Sequence, residues 1–193
     1  MFFTSPRKRV IAYGLVPAVL CSLALFFAGC GRDADQKPDV RDPNNTKPDI
    51  SARPVESKVK VTLYFSDREA MYLVPEEREA VKGNKSLEEV IVNELIKGPE
   101  NAALTRSVPE GTRLLSVSVV DGIAYVNFSK ELQTKHWGGS AGETMTVYSI
   151  VNSLAKLDGV EKVQFLLEGE RMDSLAGHID ITGPVAPQWD LVE

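Results

Sequence analysis

Cys30 is the residue in this chain with the plainest chemistry. It closes Phe26-Phe27-Ala28-Gly29-Cys30, after an apolar run from Val10 to Phe27 that itself follows Arg7-Lys8-Arg9. A positive segment, an apolar stretch and small residues before a cut point make an export leader. A cysteine directly after Ala28-Gly29 puts a thiol beside that cut point. Small side chains let a peptidase grip an extended backbone there.

The leader resembles a bacterial lipoprotein signal, with Phe27 where leucine is usual. That resemblance implies a domain outside the cytoplasmic membrane, tied to it by lipid on Cys30. Gly31 follows the cysteine, so no aspartate there argues for retention at an inner membrane. The alternative is an uncleaved anchor, since residues 10–29 are long enough to span a bilayer and membrane helices tolerate Gly14 and Pro17.

No other group makes a catalytic set. The two histidines, His136 and His178, lack metal-ligand spacing. His136, beside Trp137-Gly138-Gly139, reads as a loop residue. His178 meets Glu168 or Asp180 if the last strands pair, an arrangement more often structural than catalytic. Gly138-Gly139-Ser140-Ala141-Gly142 has Gly-x-Ser-x-Gly spacing, but no strand pattern leads into it, so Ser140 is not read as sitting in a nucleophile elbow. Gly138-Gly139-Ser140 before a helix could cradle an anion, but reads more simply as a loop with a capping serine. Glu94 falls on a core-like helical position and is expected to reach solvent toward Lys97. Asp67, Glu76, Glu77 and Arg78 flank a short strand. Their default is solvated charge, and Asp67 and Arg78 are the candidate rim for a partner. The expectation is a binding module without metal or cofactor, with a cell-wall-active enzyme or its accessory subunit as the alternative.

Composition narrows the partners. The full chain carries −5, and the only charges in residues 1–29 are Arg7, Lys8 and Arg9, so the processed chain carries about −8. Phosphate attraction supplies most nucleic-acid affinity, so an acidic domain excludes that partner class. The expected partners are the membrane, through the anchor, and an envelope protein or cell-wall component. Cys21 lies in the leader and Cys30 is the lipid site, and the chain has no other cysteine. The folded part must therefore rely on core burial alone.

Four segments position these residues: a signal peptide over 1–29, a tether over 30–57, a domain over 58–184 and a tail over 185–193. Residues 31–57 hold four prolines and mixed charge with few apolar residues, a composition that cannot bury enough surface to fold. Such a tether reaches roughly 30 Å as a coil and about 85 Å fully extended.

Within the domain, Val59, Val61, Leu63 and Phe65 alternate with polar residues as a half-buried strand. A turn at Ser66-Asp67-Arg68-Glu69 leads to a short strand, Met71 to Val74, ended by Pro75. Ser86-Leu87-Glu88-Glu89 is a capping box. Its helix carries Leu87, Val90, Ile91 and Leu95 on one face and stops at Gly98-Pro99. Asp121-Gly122 predicts a type I′ hairpin, pairing Val119 with Ala124, Val117 with Val126 and Leu115 with Phe128 on one apolar face.

Ser140-Ala141-Gly142-Glu143 predicts a second capping box, opening a helix that ends near Asp158-Gly159. A strand follows with Val163, Phe165 and Leu167 inward and Lys162 and Gln164 outward. Gly169 to Gly177 reads as a loop, and His178 to Ile181 as a last short strand. Two helices on an antiparallel or mixed sheet make an α+β sandwich of two layers.

These residues are similar to GerMN domains. The resemblance is carried by Val61-Thr62-Leu63-Tyr64-Phe65-Ser66-Asp67, Leu73-Val74-Pro75-Glu76-Glu77-Arg78, Glu94-Leu95-Ile96-Lys97-Gly98-Pro99 and Val108-Pro109-Glu110-Gly111-Thr112. It continues through Gly122-Ile123-Ala124-Tyr125-Val126-Asn127-Phe128-Ser129, Val163-Gln164-Phe165-Leu166-Leu167-Glu168-Gly169 and Gly177-His178. It implies a ring-building-motif-like α-β-β-α-β core with an added N-terminal β-hairpin. It also implies a role in assembly at membranes during sporulation or germination. The family's namesake carries two such domains in tandem, and this chain has room for one.

Overall fold

The computed structural model describes residues 57–193. Cys30, the leader and all but the last residue of the expected tether lie outside them.

Strand β1 (Lys58–Ser66) pairs antiparallel with β2 (Leu73–Val81) as a two-stranded sheet. The second strand is therefore longer than expected and does not stop at Pro75. Pro75 sits opposite Tyr64 inside β2. An edge strand tolerates proline because the missing N–H faces away from the ladder, and among the described residues β2 has no second neighbouring strand beyond a single bridge at Leu73. Helix α1 (Leu87–Lys97) starts at the expected capping box, with Glu89 N–H donating to Ser86 Oγ at 3.1 Å and Ser86 N–H to Glu89 Oε2 at 2.7 Å. It ends at Gly98, whose φ of 90° suits glycine and whose N–H returns to Leu95 O.

The second sheet runs in the order β3 (Leu114–Val120), β4 (Ile123–Phe128), β5 (Lys162–Leu167) and β6 (Glu170–Arg171). Asp121 and Gly122 have φ of 49° and 77°, as a type I′ turn requires. The hairpin register holds from Val120–Ile123 to Ser116–Asn127, then slips. Leu114, not Leu115, meets Phe128. Leu115 is the extra residue of a β-bulge and is exposed. The doubled Leu114-Leu115 breaks the alternation and marks that bulge.

β5 joins β4 in parallel, across the connection formed by α2 (Glu131–Thr134) and α3 (Ser140–Leu154). The core order is thus α1-β3-β4-α3-β5, the expected α+β arrangement. Phe65, Phe128, Phe165, Ile91, Leu95, Ile150 and Leu154 are fully buried in one cluster. Phe128 stacks on Phe165 at 6.3 Å.

Both helices touch both sheets: α1 packs on β1, β2 and β3, and α3 on β1, β2 and β5. Enclosure explains the buried serines of α3. Ser153 Oγ accepts the Tyr64 N–H at 2.9 Å and Ser149 Oγ donates to Tyr64 O at 2.5 Å. These hydroxyls replace the strand that β1 lacks on that side.

The C-terminal third departs most from expectation. The short strand after β5 is Glu170–Arg171, while residues 178–181 are irregular. Gln164, expected outward, is fully buried under residues 181–185, and Val163 bridges to Val185. Residues 185–193, expected as a tail, are held to the domain. Asn152 and Gln188 exchange two hydrogen bonds, Trp189 meets Tyr64 edge-on at 6.0 Å, and Val192 bridges to Leu73.

Candidate functional site

Asp67 and Arg78, the expected partner rim, are not neighbours along the hairpin. Asp67 lies in the β1–β2 connection, where its Oδ1 accepts the N–H groups of Met71 (2.8 Å) and Tyr72 (3.2 Å). It closes that turn. Arg78 pairs with Val61 well down the strand and is 5% exposed.

Its guanidinium donates from Nη1 to Glu94 Oε2 at 3.0 Å and from Nη2 to Gly98 O at 3.0 Å and to Glu76 Oε1. It also lies 5.8 Å from the Phe65 ring centroid, within cation–π range. Glu94 is therefore buried, not extended to solvent, and Lys97 Nζ reaches it at 2.5 Å. Burial pushes the Glu94 carboxyl up, but hydrogen bonds from Lys97 and Arg78 outweigh it and hold the group below its ordinary value. Burial also opposes ionisation of Glu76, which the N–H of Asn101, Arg78 and the N–H of Glu100 overcome. A buried cation demands such partners. Arg78 is a tie between β2, the end of α1 and the loop after it; its Nε lies 3.3 Å from Glu100 Oε1 without a hydrogen bond, and the side chain is too buried to offer a rim.

An open groove of about 510 Å³ runs beside this network, lined by Arg78, Glu94, Lys97 and Glu100 among others. No histidine, serine or cysteine lines it. Its buried carboxylates are engaged by cations, so it lacks a nucleophile–base pair.

His178 is exposed, and its backbone N–H donates to Glu143 Oε2 at 2.8 Å. Neither expected carboxylate orients it: Glu168 Oε1 accepts the Lys130 N–H, and Asp180 Oδ1 accepts the Thr182 N–H and hydroxyl. His136 Nδ1 accepts the Gly138 N–H at 3.0 Å, which leaves the proton on Nε2 to meet Thr146 Oγ1 at 3.1 Å. The Thr146 hydroxyl in turn donates a hydrogen bond to Ser107 O at 2.6 Å. Burial pushes the His136 pKa down, partly countered by the charge of Glu143. A neutral imidazole pinning a loop to α3 is a structural part. The Gly138 N–H is thus taken by His136 and is not available to an anion. Among the described residues no three metal-ligating side chains cluster.

The second capping box does not form. Gly139 precedes α3 with φ 78° and no side-chain cap. Glu143 is instead fully buried, with Oε1 accepting from Ser174 Oγ (2.7 Å) and the N–H groups of Leu175 (2.9 Å) and Ala176 (3.0 Å). Burial raises its pKa, but these donors and the His178 N–H outweigh that and hold it low. Its S-x-x-E spacing was legible; its distant partners were not.

Among the described residues, the outer edge of β3 remains open on the surface. β3 ends the second sheet and pairs only with β4. Leu115, Val119 and Val120 are 44%, 37% and 53% exposed.

These elements make a two-sheet α+β domain whose β3 edge is unpaired among the described residues. The chain belongs to the Germane (GerMN) family, described as sporulation and spore germination, whose model matches residues 62–173, over half of the sequence. The fold is similar to the tandem GerMN domains of the sporulation protein GerM from Bacillus subtilis, with a TM-score of 0.59 and 22% identity over 75% of this chain and 51% of that one. The chain thus spans about half the length of that protein. The first GerMN domain of the same protein matches with a TM-score of 0.57 and 20% identity, over 66% of this chain and 97% of the other. A protein described as a lipoprotein from Clostridium perfringens matches at 24% identity and a TM-score of 0.48, over 74% and 97%. Among curated proteins there is no match.

Proposed function

We propose that this chain is a lipid-anchored, extracytoplasmic binding or assembly module without catalytic activity, serving sporulation or germination. The observation that carries the reading is the uncovered β3 edge with its exposed Leu115, Val119 and Val120. Such an edge templates strand addition. The Cys30 lipobox and apolar leader support the anchor, and the family description supports the process. No helix among the described residues is long and apolar enough to cross a membrane.

Mutation in the full chain separates binding from catalysis. Val120→Lys places a charge on the edge at a half-exposed position and should lower sporulation or germination efficiency. His178→Ala and Glu168→Gln should leave it near the parent value. An enzyme would lose orders of magnitude when its base is removed. If His178→Ala abolishes function in a folded, anchored chain while Val120→Lys does not, the binding reading is wrong.

A further inference from the structure

Folded proteins blunt their sheet edges with charge, proline or a cover, and three edges here follow that rule. The outer strand β2 carries Pro75 and the charged run Glu76-Glu77-Arg78-Glu79. The far side of β1 is bonded by the hydroxyls of Ser149, Ser153 and Ser107 and by the Thr105 N–H. β6 is two residues long. β3 has none of these protections: Leu114-Leu115-Ser116-Val117-Ser118-Val119-Val120 holds no charge and no proline.

The turn decides which backbone groups are free. In a two-residue hairpin the residues flanking the turn form a hydrogen-bonded pair, and bonded pairs then alternate. With Val120 opposite Ile123, Val120, Ser118 and Ser116 bond to β4. Val117 and Val119 direct their N–H and C=O groups outward. The bulge at Leu115 ends this flat run.

We infer that β3 pairs antiparallel with β3 of a second copy, about a two-fold axis at Ser118. This rests on the binding-module reading and names its partner. Val117 of each copy meets Val119 of the other, so every outward group finds a partner and Ser118 faces Ser118 in a non-hydrogen-bonded pair. Charge favours this direction. Arg113 precedes β3 and Asp121 follows it, so an antiparallel crossing brings the basic end of one strand to the acidic end of the other. A parallel crossing would bring like ends together. The Arg113 side chain is 68% exposed and, among the described residues, its ion pairing is a 4.0 Å contact with Glu131. The same patch serves both copies, so the assembly closes at two and joins the two β3–β6 sheets into one.

The test uses the full chain in membranes. Ser118→Cys puts two thiols across a non-hydrogen-bonded pair, with Cβ atoms about 4.5–5.5 Å apart, so mild oxidation should convert most of the chain to a disulfide dimer. Asn84→Cys, on the exposed loop before α1, should stay monomeric. Ser118→Lys opposes two ammonium groups at the axis and should abolish the dimer; mixing Ser118→Lys with Ser118→Glu copies should restore it. A Ser118→Cys chain no more crosslinked than Asn84→Cys overturns the inference. If Ser118→Lys nevertheless destroys function, the edge docks a different protein and only self-pairing falls. If Ser118→Lys and Val120→Lys both stay functional with no crosslink, the binding-module reading falls with it.

Discussion

Replacing Arg78 with methionine tests how the hairpin is tied to α1. The Arg78 side chain is 4% exposed, and those of Glu76 and Glu94 are 12% and 9%. Methionine keeps the contact with Phe65 but removes the cation. Glu94 retains only Lys97, Glu76 retains the N–H groups of Glu100 and Asn101, and Gly98 O loses its Arg78 donor. Breaking one partner of a buried ion pair costs about 3–5 kcal/mol. The surviving donors place this case near the lower end, about 3 kcal/mol, or on the order of 10 °C in Tm for a domain of this size. Circular-dichroism melts of parent and variant, checked for two-state behaviour, measure it.

The pH dependence carries a second signature. Both carboxyls sit below their ordinary 4.5 in the folded state. Their contribution is present above 4.5 and is lost as pH falls through the lower folded values. The variant has no cation to lose, and protonation relieves its stranded carboxylates. The gap between parent and variant should therefore narrow on acidification. A loss below about 1 kcal/mol at pH 7, or a gap that widens in acid, would refute the argument.

Gly122→Val should cost more than about 1 kcal/mol, read as a lower Tm, because φ is +77° and a Cβ would lie 3.3 Å from the Glu161 side chain. Glu143→Leu strands the N–H groups of Leu175, Ala176 and His178; a loss of about 2–3 kcal/mol and faster proteolysis within 174–178 are expected. Parent-like cleavage there would show that the carboxylate does not hold the loop. Ser153→Ala should cost about 1–2 kcal/mol by orphaning the Tyr64 N–H, checked by denaturant midpoint at constant slope. Cys30→Ala should stop incorporation of labelled fatty acid and release the chain from the membrane; undiminished labelling would disprove the anchor.

Local order was largely legible in the sequence because its causes are local. Ser86 and Glu89 lie three residues apart, so their reciprocal caps depend on nothing distant. Asp121-Gly122 accepts the positive φ of its turn, which sets the pairing of Val117 with Val126. The α-β-β-α-β order followed from such signals. The misread residues have partners far along the chain. Arg78 looked like surface charge because Glu94 and Gly98 come 16 and 20 residues later. Glu143 matched a cap pattern but serves a loop more than 30 residues on. Gln164 alternated as an outward residue until residues 181–185 covered it. Periodicity tells which face a side chain takes, and only packing tells what lies against that face. Burial then compels each polar group to find a donor or acceptor wherever the fold supplies one. The apolar pattern of β3 was present in the sequence; that no strand among the described residues pairs with its outer edge was decided by the sheet order.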